Sequence, residues 1–207
     1  MSWMIEEKGF VKENIELNGN KFLLGNGYMG YRGTLEEYEK DQLVACNLLG
    51  LYDKVGEKWR EPVNAPNGFF TRLSCDGVPL DILSSEPEEH AQCLEIKSGL
   101  HKRRTIFKAP SGSQVYVSSE RFLGLFNVHL MCMKHTLKVI KRCKITIETG
   151  IDGDVWDING PHLREMDHRV VGSLIVSNSV SGELGCPVPV AEGLDTDFKH
   201  SSEIIKS

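Results

Sequence analysis

Apolar side chains recur at every second residue through several stretches of this chain, and that period constrains its fold more than any other feature. In SQVYVSS, Val115 and Val117 alternate with Gln114, Tyr116 and Ser118. In FNVHLMC, Phe126, Val128, Leu130 and Cys132 would share one face, with Asn127, His129 and Met131 on the other. In CKITIET, Cys143, Ile145 and Ile147 alternate with Lys144, Thr146 and Glu148, and GSLIVSNS is a fourth β-rich run around Leu174 to Val176. Alternation of this kind is the mark of half-buried antiparallel strands. Turn signals separate the runs: Asp76-Gly77, Pro110 with Gly112, Gly150 with Gly153, and Gly182 with Gly185. TLEEYEKDQL, from Thr34, is the one helix-compatible run; Thr34 and Glu37 fit a capping box, and a turn fits the run equally well. The pattern predicts an all-β fold, an antiparallel β-sandwich or barrel.

The totals narrow the class. A chain of 207 residues with 40% hydrophobic and 26% charged side chains has the make-up of an ordinary globular protein. No apolar run is long enough to span a membrane. MSWMIEEKGFVKENIE lacks the basic-then-apolar order of a secretory signal, so a cytoplasmic location is expected. A net charge of -5 gives no general electrostatic reason to bind nucleic acid. The six cysteines form no C-x-x-C pair, which argues against a structural zinc and favours free thiols. VAEGLDTDFKHSSEIIKS loses the alternation and reads as a frayed tail or as a chain cut before its next element.

Few stretches carry recognisable chemistry. LGNGYMGYRG contains Gly25, Gly27 and Gly30 in G-x-G-x-x-G spacing, the fingerprint of a dinucleotide loop. Such a loop needs a buried strand before it and a helix opening at the third glycine. Here Tyr31, Arg32 and Gly33 follow, which is poor material for a first helical turn. The glycines are better explained by positive φ or close backbone approach in an aromatic-rich turn. Asp53 stands where a ribose-binding acid would, with little else to support that role. Glu36, Glu37, Glu39 and Asp41 read as a solvated acidic face, and His101-Lys102-Arg103-Arg104 as an exposed basic strand. IDGDVWDING breaks the EF-hand order at Trp156. The seven histidines fall in no zinc-protease or nucleophile-elbow motif, so no metal, cofactor or triad is expected.

An ordered series of short motifs is similar to the N-terminal region of glycoside hydrolase family 65, the maltose, kojibiose and trehalose phosphorylases. It begins with Trp3 and continues with Leu24-Gly25-Asn26-Gly27-Tyr28-Met29-Gly30, Arg32-Gly33 and Glu36-Glu37. Gly50-Leu51-Tyr52-Asp53, Asp76-Gly77 with Leu80-Asp81, Lys97-Ser98-Gly99-Leu100, Ser119-Glu120-Arg121-Phe122 and Gly150-Ile151-Asp152-Gly153 follow in family order, and past about residue 165 the match is lost. Tyr31 stands where the family has a smaller residue. The resemblance implies a galactose-mutarotase-like super-sandwich spanning 1–207, placed ahead of an (α/α)6 barrel that holds the general acid and the phosphate-binding residues. It implies no catalytic residue and no cofactor in this chain. The implied partners are the missing barrel and a second copy in a homodimer.

Three functions follow as expectations. The first is a catalytically silent N-terminal sandwich of an inverting α-glucoside phosphorylase or hydrolase. Its inter-domain candidates are Gly25, Asn26, Gly27, Tyr28, Gly30, Arg32, Gly33, Glu36 and Glu37. The second is a free-standing carbohydrate-binding or structural module stacking sugars on Tyr28, Tyr31, Tyr52 or Trp59. The third, a small enzyme in its own right, has no supporting constellation. A sandwich lacking its closing strands would also expose an edge that invites self-association.

Overall fold

Hairpin chemistry and period-two burial build nearly everything seen in the structure, a computed structural model that describes residues 3–109 and 112–197. The strands are β1 (Met4–Lys8), β2 (Leu24–Gly25), β3 (Met29–Tyr31), β4 (Cys46–Asp53), β5 (Glu61–Asn64), β6 (Asn67–Cys75), β7 (Val78–Pro79) and β8 (Glu89–Glu95). They continue as β9 (Leu100–Lys108), β10 (Gln114–Leu123), β11 (Met131–Val139), β12 (Ile145–Asp152), β13 (Leu163–Val171), β14 (Leu174–Ser181) and β15 (Val190–Gly193). A five-stranded sheet runs β1-β8-β9-β10-β11, a four-stranded one β2-β3-β4-β5, and two three-stranded ones β12-β6-β7 and β13-β14-β15. Every named strand pairing is antiparallel. One buried cluster joins three of the sheets: Leu94, Phe107, Val115, Val117 and Leu123 from the five-stranded sheet meet Phe69, Leu73 and Cys75 of β6 and Tyr31, Leu51 and Val63 of the four-stranded sheet. The result is the antiparallel sandwich that the alternation predicts.

Local sequence explains the particulars. Asp76 and Gly77 both take positive φ (52° and 83°), the geometry of a tight turn between β6 and β7 that suits the right-handed strand twist. On β10, Val115, Val117, Ser119, Arg121 and Leu123 face inward while Tyr116, Ser118, Glu120 and Phe122 face out. SQVYVSS, CKITIET and GSLIVSNS fall on β10, β12 and β14 as read.

One open alternative is decided and one assignment is corrected. The run from Thr34 takes the turn reading and not the α-helix: only a 3-10 turn at Lys40–Gln42 forms, and its capping box uses Glu39 and Gln42 rather than Thr34 and Glu37. The buried side chains of Thr34, Leu35, Glu36 and Tyr38 cannot all lie on one stripe of a short helix, so the chain runs irregularly and sends them inward. Helix α1 (Ile15–Lys21) forms instead, in a run with Gly19 and two asparagines that carries no strong helical signal. The strand expected from Phe126 is also absent: Gly124 to Leu130 form a loop, and β11 begins at Met131.

All six cysteines are free thiols. Among the described residues no helix is long and apolar enough to cross a membrane. Pro110 and all residues after Asp197, His200 among them, lie outside the described residues, while Val190–Gly193, at the start of the stretch read as a frayed tail, forms the edge strand β15.

Candidate functional site

The glycine-rich stretch closes a hairpin, not a phosphate loop. Gly25 pairs with Gly30 across β2 and β3, and Gly27 at the tip takes φ +86°. Asn26 organises the turn, its Oδ1 accepting from the N–H groups of Tyr28 (3.0 Å) and Met29 (2.8 Å). Its Nδ2 donates outward to the carbonyls of Gly124 (2.8 Å) and Val128 (3.0 Å), fastening the loop between β10 and β11. Tyr28 packs edge-on against His129 of that loop, ring centroids 4.3 Å apart. No helix follows Gly30, so no row of free N–H groups waits for a pyrophosphate.

Asn26→Ala removes two donors and two acceptors at once and leaves half-buried backbone groups unpaired. It is expected to cost about 2 kcal/mol, read as a lower urea midpoint with unchanged slope.

The second half of the stretch is buried. Tyr31 is fully enclosed and its hydroxyl donates to Asn67 Oδ1 (2.7 Å), so its ring offers no face to a sugar. Arg32 donates from Nη2 to the carbonyl of Glu16 (2.8 Å) and lies over Gly19, where a Cβ would sit 2.6 Å from the guanidinium. Gly33 touches Phe22, and a Cβ there would come within 2.7 Å of the Phe22 carbonyl carbon.

Glu36 and Glu37 overturn the solvated-face reading. Glu36 is 1% exposed and its carboxylate lies over a polar row that crosses the five-stranded sheet from Gln92 through Arg103 and Ser119 to His135. It accepts from Arg103 Nη1 (2.8 Å) and Ser119 Oγ (2.6 Å), with Arg121 Nη1 at 3.7 Å. Glu37 receives the other side of the same guanidinium, from Nη2 at 2.7 Å and from Nη1. Arg121 donates to the carbonyl of Thr34 and lies over the Tyr31 ring, 5.2 Å from its centroid. His101 and Arg103, read as exposed, are therefore core residues, because the inward register of β9 carries them. The charges explain one another: burial opposes the Glu36 carboxylate, but Arg103 and Arg121 hold it well below the usual carboxylate range. Burial likewise opposes Arg103, and Glu37 and Glu36 keep it firmly charged. Burial and Arg103 push His90 down to about 4. Burial and Arg121 push His101 well below its ordinary value. An enclosed carboxylate held ionised in this way has no proton to give, so Glu36 lacks the raised pKa of a general acid.

A second polar group, missed in the sequence, ties the four-stranded sheet to the segment before β13. The His162 ring lies between Glu61 (Nε2 to Oε1, 2.8 Å) and Asp53 (Nδ1 to Oδ2, 3.3 Å). Asp53 accepts from the N–H groups of Gly182 and Glu183 at 2.9 Å each, and Glu61 from the N–H and side chain of Asn159 at 2.8 and 2.6 Å. Burial opposes the Glu61 charge, and these bonds hold its pKa below the ordinary value; burial raises that of Asp157. Glu61, Asp157 and His162 offer ligand atoms within 4.8 Å of one another, but both Glu61 oxygens are already occupied by Asn159 and His162. The arrangement fits a clamp between sheets. Sequence gave no clue because its members lie about a hundred residues apart.

Of the remaining stacking candidates, Tyr52 (46%) and Trp59 (56%) are exposed.

The comparisons with known proteins agree with this architecture. The pattern for the glycosyl hydrolase family 65 N-terminal domain matches residues 5–185. The chain is similar to nigerose phosphorylase of Lachnoclostridium phytofermentans, 42% identical over 169 residues, which is 82% of this chain and 22% of that protein. It is also similar to 1,2-alpha-glucosylglycerol phosphorylase of Bacillus selenitireducens (32% identical; 94% of this chain, 26% of the relative). Kojibiose phosphorylase of Escherichia coli is 26% identical over 87% of this chain and 24% of its own. A solved structure from the human microbiome, provisionally assigned as a kojibiose phosphorylase, superposes with a TM-score of 0.79. It covers 87% of this chain and 26% of its own, and at 18% identity the likeness shows the fold alone. The chain thus spans about a quarter of the length of the relatives it matches. It belongs to glycosyl hydrolase family 65, and the part of the family it represents is the N-terminal domain.

Proposed function

We propose that this chain is a non-catalytic support domain of a disaccharide phosphorylase. The observation that carries the reading is the fate of the family signature: its acids and arginine, the groups best suited to chemistry, are spent on internal ion pairs and bonds. The catalytic groups then lie in the roughly three-quarters of the enzyme that relatives have in addition. In the whole enzyme a glucosyl unit would pass from an α-glucoside to inorganic phosphate with inversion. The sandwich would brace the catalytic barrel and a homodimer. Six free thiols suit a reducing compartment such as the cytoplasm.

A chimera tests this directly: the present chain replaces the matching segment of nigerose phosphorylase, and phosphorolysis of nigerose is measured. Support predicts an active, cooperatively unfolding enzyme; an inactive chimera whose two parts melt separately counts against it. A second reading, carbohydrate binding, draws on the exposed rings of Tyr52 and Trp59. Calorimetric titration with nigerose, kojibiose and trehalose addresses it. Heat that disappears in Trp59→Ala would favour the module, and no heat from any glucoside leaves the support role.

A further inference from the structure

One surface of the sandwich is built for contact yet covered by nothing among the described residues. The loop between β10 and β11 presents Leu125 (77% exposed) and Phe126 (109%) at its tip, with Leu130 beside them. Leu49 (72%) adjoins it through Tyr28, whose carbonyl accepts the Leu49 N–H at 2.7 Å. From Phe122 to Met133 there is no Asp, Glu, Lys or Arg, in a chain that is 26% charged. Singly exposed apolar residues need no explanation, but a neutral, grouped set does.

The loop is also rigidly held. Asn26 binds two of its carbonyls. The Gly124 N–H donates to the carbonyl of Leu130 (2.8 Å) and the Leu130 N–H to that of Asn127 (3.1 Å). The Asn127 side chain accepts from the His129 N–H (3.2 Å). A Cβ on Gly124 would meet the Asn127 carbonyl oxygen at 2.5 Å, so the conformation is reserved for glycine. A loop ordered before contact loses little entropy on binding, and a large aromatic at its tip is the usual anchor of an interface.

We infer that the Leu125–Phe126 knob, fastened by Asn26 of the signature hairpin, is the seat of the remaining polypeptide of a full-length family-65 enzyme. This rests on the support-domain reading. The occupant follows from length: about three-quarters of each matched relative lies outside the stretch this domain accounts for, and that mass must meet the sandwich somewhere. Burial of the neutral knob gains apolar area without stranding a charge.

The test compares Leu125→Ser/Phe126→Ser with the parent sequence in two settings. In the 207-residue chain the side chains touch solvent, so the melting midpoint and the mass by light scattering should not change. In the nigerose phosphorylase chimera the same pair should lower activity about tenfold to a hundredfold, or split one melting transition into two. A parent chimera that is active and a variant that matches it overturn the knob alone and leave the support reading standing. An inactive parent chimera overturns both. A dimer of the isolated chain that the substitutions dissociate would hand the surface to a second copy and overturn the assignment.

Discussion

Arg103→Ala is expected to lower the stability of the chain by about 3–5 kcal/mol, because it strands buried carboxylates rather than merely deleting a bond. The side chains of Glu36 and Glu37 are 1% and 7% exposed, and Arg103 bonds to both. Against a total of roughly 5–15 kcal/mol for a globular domain, the variant should be largely unfolded or shifted to a much lower urea midpoint. Arg103→Lys keeps the charge but not the planar fork, and should recover only part of the loss. A midpoint equal to that of the parent would mean the polar row is not what holds the signature acids.

Buried histidines beside the same arginines make stability depend on acid. His90, pushed down to about 4, and His101, pushed well below its ordinary value, are neutral in the fold at neutral pH, so the unfolded chain takes up their protons first. The His90 contribution is complete above the ordinary histidine value of about 6.5 and is lost as pH falls from there towards about 4, a cost of about 3 kcal/mol, and the His101 contribution is lost in the same direction. Glu36 acts lower: its contribution is present above the ordinary carboxylate value of about 4.3 and is lost as pH falls below it towards its depressed folded pKa. Urea midpoints should therefore begin to fall below about pH 6.5 and fall more steeply below about 4.3. A flat profile down to about pH 4 would contradict the buried, neutral state of His90.

Gly33→Ala is the second large effect. An alanine Cβ would sit 2.7 Å from the Phe22 carbonyl carbon and 2.8 Å from its Cα. Backbone cannot swing aside as a side chain can, so the two segments must part, at about 3 kcal/mol. Gly27→Ala is the control: its φ is positive but the space around it is open, and the cost should be about 1 kcal/mol. Thermal denaturation of both variants distinguishes close approach from backbone handedness as the reason for each glycine. Equal losses would remove that distinction.

These results also mark what the sequence could disclose. Alternation in SQVYVSS located β10 because its inward face is mostly apolar, whereas β12 forms where CKITIET predicts although Ile147 is exposed. It failed at Phe126, where apolar residues alternate in a loop whose shape comes from Asn26, about a hundred positions earlier. It failed again at His101 and Arg103, because a charged inward face reads as solvated until its partners Glu36 and Glu37 are seen opposite. The glycine motif was legible as a turn but not as the anchor of a distant loop. The clamp at His162 left no local mark, since Asp53, Glu61 and the Gly182-Glu183 turn meet only in space. Periodicity reports which face is buried; it does not report which partner satisfies a buried charge.

The central claim is that this sandwich braces an active site it does not contain. The most direct measurement incubates the purified chain with inorganic phosphate and nigerose, kojibiose or trehalose in turn, and follows formation of glucose 1-phosphate. The account predicts none above the uncatalysed background. Sustained turnover that is lost in Glu36→Gln, with that variant still folded, would contradict it.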